Sequence, residues 1–137
     1  MQDRLDSRIG TAYLRISTEE QRRGHSLDNQ REDCERVLLA IGCQRRAFYQ
    51  DVESAWKPDK DREQYDQLMK DAEVGRFQVL VVWKVDRFSR QTLRGLRDLW
   101  HLVDDLGIEL QSVMERIDTK SAEGRRQLRN LVIEAEY

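Results

Sequence analysis

Apolar positions along the chain fall into two rhythms. Residues 9–16 read as a strand, alternating into a buried run. A polar loop follows over 18–25, with Gly24 inside it. From Ser26 the spacing becomes helical, with Leu27, Cys34, Val37, Leu38 and Ile41 on one face and Gly42 as the stop. Phe48 and Tyr49 fall in a short strand ending near Asp51. Residues 52–61 hold the only proline, Pro58, and several charges, which predicts a mobile loop. A helix is expected from about 62 to 74, carrying Tyr65, Leu68, Met69 and Ala72. Residues 79–83 are continuously apolar, as in a parallel strand buried on both faces. A further helix is predicted from about 92 to 106, stopped by Gly107, then a strand over 108–113 and a basic helix from about 121 to 137.

Strand and helix alternate throughout. That order predicts an open, mainly parallel α/β sheet of four to five strands flanked by helices. Length allows one domain with a real core, preceded by a flexible start at residues 1–8. The last helix runs to the final residue without a cap, so the chain is expected to be the front part of a longer protein.

Composition narrows the class. Hydrophobic residues make up 39% and charged residues 36%, and no apolar run approaches membrane-spanning length. The start lacks a signal-peptide core, so a soluble cytoplasmic protein is expected, with no membrane partner. Cys34 and Cys43 are too few and too isolated for a disulfide framework or a zinc site. The net charge of −2 argues against strong free-standing DNA affinity. Positive charge is patchy, however. Residues 84–97 contain five basic residues against one acid, and Lys120, Arg125, Arg126 and Arg129 make a second patch.

The chemistry concentrates where strands end. Arg15 and Ser17 share one face of the first strand, so a guanidinium would sit beside a hydroxyl at its carboxyl end. Open α/β sheets place their sites at that edge. Asp51, and Asp86 with Arg87, are expected at the ends of the next two strands. Gln30 falls on the buried face of its helix and needs a polar partner, either the strand-end pocket or backbone. Arg87, Arg90, Arg94 and Arg97 follow helical spacing, which alone describes a solvated face; Arg87 and Arg90 lie nearest the turn. Arg62 by pattern is an exposed charge, and Ser17-Thr18-Glu19-Glu20 also fits a helix capping box. No metal or cofactor site presents itself, since His25 and His101 are isolated. Together these features point to phosphoryl transfer on a nucleic acid.

The set resembles the catalytic domain of the serine recombinases, the family of resolvases, invertases and serine integrases. Tyr13-x-Arg15-x-Ser17 is similar to the nucleophile motif, and Ser26-Leu27-Asp28-Asn29-Gln30 to the motif of the active-site glutamine. Asp61-Arg62 occupies the place of the mobile-loop arginine, and Asp86-Arg87-x-x-Arg90 resembles the second active-site motif. The resemblance implies Ser17 as nucleophile. It implies Arg15, Arg62, Arg87 and Arg90 on the phosphate, with Gln30 and Asp86 organising the pocket. It further implies double-stranded DNA as partner and a homodimer that forms a tetramer, without metal or cofactor. Residues 121–137 would begin the long dimerisation helix, with the C-terminal DNA-binding region absent and this fragment inactive alone. The spacer Arg22-Arg23-Gly24-His25, and Ile117-Asp118-Thr119 followed by Gly124-Arg125, look more like the large serine recombinases of phages and mobile elements. The chain departs from the family pattern at Ser54-Ala55, where Ser-Gly is usual, and at Glu63, where proline commonly follows the arginine.

Two other readings compete. A metal-dependent nuclease would use Asp51, Glu53 and Asp86. A non-catalytic module that pairs subunits on DNA would use Ser17 only as a cap.

Overall fold

The computed structural model describes residues 6–17, 27–53, 62–90 and 92–136, without the side chains of Asp6, Ser17, Leu27, Glu53 and Arg87. Five strands form one sheet: β1 (Asp6–Ser17), β2 (Cys43–Arg45), β3 (Tyr49–Glu53), β4 (Val79–Val82) and β5 (Glu109–Ser112). All of their pairings are parallel. On one side β1 pairs β4, which pairs β5. On the other side β1 pairs β2 along its first half and β3 along its second. β1 begins three residues earlier than the alternation predicts. The stretch expected to hold one strand near Phe48 holds two, because so long a β1 offers two consecutive docking edges.

Among the described residues five α-helices flank the sheet: α1 (Leu27–Ile41), α2 (Glu63–Glu73), α3 (Val85–Ser89), α4 (Leu93–Trp100) and α5 (Ala122–Ala135). Alternation along the strands divides the core. Ala12, Leu14, Val79 and Val81 face α1, where they meet Cys34 and Leu38. Tyr13, Leu80, Val82 and Leu110 face the other helices, packing on Tyr65, Leu68, Phe88, Leu99, Leu128 and Val132. β4 is buried on both faces, as its unbroken apolar run requires. No helix among the described residues is long and apolar enough to cross a membrane.

Two expected elements take a different form. The helix predicted over 92–106 is α-helical only to Trp100, then opens into a π turn, His101–Asp105, in which Leu106 N–H donates to the His101 carbonyl at 3.1 Å. Asp86 and Arg87 do not end the third strand. They sit within α3, a single helical turn whose first amide, Val85 N–H, donates to the Glu115 carboxylate from the loop after β5. The arginine stripe is therefore broken: Arg90 ends α3 with φ +55°, while Arg94 and Arg97 belong to α4. The two helices meet at Gly95, where a Cβ would stand 2.3 Å from the Ser89 carbonyl oxygen. Only glycine permits that approach.

Candidate active site

The carboxyl edge of the sheet gathers most of the predicted residues. Ser17 is the last residue of β1, in register with Glu53 of β3. Its side chain, like that of Arg87, lies outside the described residues, as does the whole of 18–26, including the capping box and Ser26. The loop over 54–61, with Ser54-Ala55 and Asp61, lies outside them too.

Arg15 stands two residues before Ser17 and is 8% exposed. Its Nη2 reaches the Asp86 carbonyl oxygen at 3.4 Å, a long hydrogen bond across to α3. Arg62, which opens α2, donates from Nη2 to the Phe88 carbonyl at 2.7 Å. Both arginines thus converge on backbone oxygens of the same short helix, and the Asp86 carbonyl also accepts from the Arg90 amide at 2.8 Å. Arg62 also lies with its guanidinium carbon 3.8 Å from the centroid of the Tyr65 ring. Its Nε is buried and has no hydrogen-bond partner among the described residues.

Arg62 and Arg90 line a cleft of about 340 Å³ with Tyr65, Asp66, Arg94 and Asp98. A non-glycine residue at φ +55° carries a steric cost of about 1 kcal/mol, yet Arg90 holds that position. The left-handed turn sends the chain from α3 into α4 at the rim of the cleft.

Asp51 plays a part that spacing does not predict. Its carboxylate accepts from the Tyr13 hydroxyl at 2.7 Å and from the amides of Gln64 and Tyr65 at 3.1 Å each. It caps α2 from a neighbouring strand, a role Arg62 at the N-cap does not fill. Its oxygens are thereby committed to three donors. Among the described residues no three His, Cys, Asp or Glu side chains are grouped to hold a metal ion.

Gln30 takes the buried place predicted on α1, at 2% exposure. Its Oε1 has no hydrogen-bond partner among the described residues. It stands on the helix covering the opposite sheet face, and no described contact joins it to Arg15 or Arg62.

Tyr13, Tyr65 and Phe88 pack as a triad behind the arginines, with centroids 5.9, 5.8 and 4.8 Å apart. The Tyr65 hydroxyl donates to Asp98 of α4. Burial, reinforced by Asp51, raises the Tyr13 pKa, and burial with the Asp98 bond raises that of Tyr65. Both phenols stay protonated at neutral pH, so neither serves as a base. The sequence reading placed Tyr65 in its helix but gave it no role. The clue was the i, i+3 spacing from Arg62, which brings a ring beneath a guanidinium on a helix.

The carboxyl edge of this parallel sheet, where open α/β folds place their sites, thus holds the end of β1 together with Arg15 and Arg62. Comparisons with known proteins specify the class. The chain matches the model of the resolvase N-terminal domain family over residues 11–137. The N-terminal catalytic domain of TP901-1 integrase is 30% identical, over 93% of this chain and 94% of that one, with a TM-score of 0.70. A resolvase family site-specific recombinase from Streptococcus pneumoniae shares the fold at 23% identity, 95% and 89% coverage and a TM-score of 0.72. The C-terminal catalytic domain of ISC1926 TnpA, an IS607-like serine recombinase, shares it at 17% identity, 92% and 79% coverage and a TM-score of 0.62. A search of curated protein sequences finds no match. This chain belongs to the resolvase N-terminal domain family. It is a serine recombinase catalytic domain, of the class that carries out site-specific recombination.

Proposed function

We propose that this domain cuts and rejoins double-stranded DNA through a 5′-phosphoserine intermediate at Ser17. The Ser17 oxygen attacks a backbone phosphorus, and the 3′ oxygen departs, taking a proton to become a free hydroxyl. Rejoining reverses the step on an exchanged end. The ester keeps the bond energy, so no high-energy cofactor is needed.

The observation that carries this reading is the convergence of Arg15 and Arg62 on α3, at the carboxyl edge where β1 ends in Ser17. Arg15, Arg62, Arg87 and Arg90 are assigned to the phosphate and to the charge that builds in the transition state. Preorganised cations of this kind stabilise such charge without reorganising during reaction. Gln30 and Asp86 are assigned to shaping the pocket, as the motif resemblance implies. Arginine stays protonated in water, so the general base is a different group.

The large, integrase-type class is favoured by the 30% identity to TP901-1 integrase. In this reading the domain is the N-terminal catalytic part of a phage or mobile-element integrase. It acts as a homodimer that pairs into a tetramer, with α5 beginning the dimerisation helix, and the domain alone does not complete recombination.

The test is to incubate the intact recombinase with DNA flanking its own gene, in excess chelator. Denaturant-resistant protein on 5′ ends, lost with Ser17→Ala, is the expected result. Metal-dependent cleavage without an adduct would sink the proposal.

A further inference from the structure

Given the reading above, in which Arg62 binds phosphate, we infer that Tyr65 is its positioning residue, a platform that fixes the guanidinium over the cleft before DNA arrives. Arg62 emerges at the very start of α2, where helical neighbours constrain a long side chain least. Its guanidinium lies 3.8 Å from the centroid of the Tyr65 ring and donates to the Phe88 carbonyl at 2.7 Å. The ring sets the plane and height, and the carbonyl sets the direction.

Tyr65 in turn is held from four sides. Its amide donates to Asp51 of β3. Its ring meets Tyr13 of β1 and Phe88 of α3. Its hydroxyl donates to Asp98 of α4. Each constraint comes from a different element, so the ring cannot tilt without disturbing the fold at the cleft. The carbonyl that orients Arg62 belongs to Phe88, whose ring also packs on Tyr65. Platform and guide are therefore one unit.

A core residue that merely fills space would need neither a cation on its face nor an acceptor for its hydroxyl. Leucine would fill much of the volume and remove the electron-rich face that attracts a guanidinium. Phenylalanine would keep the face and lose only the Asp98 bond. The two substitutions therefore separate platform from filler.

Two measurements decide it. The first follows the Arg62 side-chain N–H resonances in the 137-residue chain by NMR. Ring-current shifts should persist in Tyr65→Phe and disappear in Tyr65→Leu; unchanged Arg62 resonances in Tyr65→Leu would overturn the platform. The second measures single-turnover Ser17 adduct formation by the intact recombinase. Tyr65→Leu should slow it about 10- to 100-fold, and Tyr65→Phe by no more than a few-fold. In an Arg62→Ala background, Tyr65→Leu should add less than about twofold, because residues acting as one unit are not additive. Equal slowing in both backgrounds would make Tyr65 purely structural and refute the inference. Should Tyr65→Leu fail to fold, progressively fluorinated phenylalanines at position 65 keep the shape and weaken the face. A graded fall in rate and ring contact is then expected, and a flat series refutes the platform. If the unmodified enzyme forms no adduct at all, the phosphoserine reading fails, while the NMR measurement still decides the role of Tyr65.

Discussion

Among the arginines that lie over aromatic rings, Arg62 and Arg125 have opposite surroundings. Arg62 lies 3.8 Å from the centroid of the Tyr65 ring, and its Nη2 donates to a neutral carbonyl, that of Phe88. Arg125 lies 5.6 Å from Trp100, and its Nη2 meets the Asp104 carboxylate at 3.0 Å. It shares a groove with Arg126, itself paired with Glu123. A ring and a carbonyl orient a cation without cancelling its charge. A carboxylate orients and cancels together. Arg62 is thus oriented at the carboxyl edge by neutral groups, whereas Arg125 and Arg126, in the groove between α4 and α5, are each paired with a carboxylate. Counting basic residues does not reveal this, because both regions are equally rich in arginine.

The strongest way to break that contrast is to remove each cation. Arg62→Ala should slow single-turnover strand cleavage by about 100- to 1,000-fold, the scale of losing one preorganised charge-stabilising donor. Arg125→Ala should change it by less than about threefold. Equal losses would erase the distinction. Gly95→Ala attacks the seat instead of the cation. Its new methyl meets the Ser89 backbone, and overpacking of this kind costs about 1–3 kcal/mol in a urea titration. Because α3 supplies the carbonyls that guide Arg15 and Arg62, cleavage should fall further than stability alone explains.

Arg90→Gly sharpens the comparison. Relief of the left-handed strain should raise stability by about 0.5–1 kcal/mol, reduced by glycine's freedom in the unfolded chain, while cleavage is lost. A destabilised variant would show that Arg90 is held there for the fold.

The smallest effect concerns His101, on the Arg125 side. Its ring nitrogens lie 2.6 Å from Glu73 and from Asp105. The bond to Glu73, then that to Asp105, raises its pKa above the ordinary 6.5. The folded state therefore binds this proton more tightly than the unfolded chain. That contribution is complete below about pH 6.5 and is lost as pH rises through the raised folded value. His101→Gln should flatten this part of a melting-temperature profile, while cleavage by Arg62-intact enzyme stays unchanged at fixed pH.

Much of this could be read from residues near one another in the chain. The alternation in β1, the unbroken run of β4, Gly42 at φ +80° after α1 and Ser121 capping α5 are local signals, and each marks its element. What escaped depends on distant partners. α3 is one turn long, and its first amide is met by Glu115, thirty residues later. Asp51 has the composition of a metal ligand, and only the approach of α2 makes it a cap. His101 is isolated in sequence because Glu73 precedes it by 28 residues. At the site, motif resemblance located Arg62 where periodicity gave only an exposed charge. The ring beneath it required the helix to be seen in place.

The position of β1, with partners along both edges, has a consequence for how the chain comes into being. β1 is made first, yet β4 is needed to cover one of its edges, and about 60 residues intervene between them; at ~5–20 residues per second that is several seconds of synthesis. Until then the central strand is an apolar segment with an open edge, and its pairings are non-local, which slows folding intrinsically. The chain therefore passes through an early interval in which a long strand with an open edge is exposed, a form that is aggregation-prone.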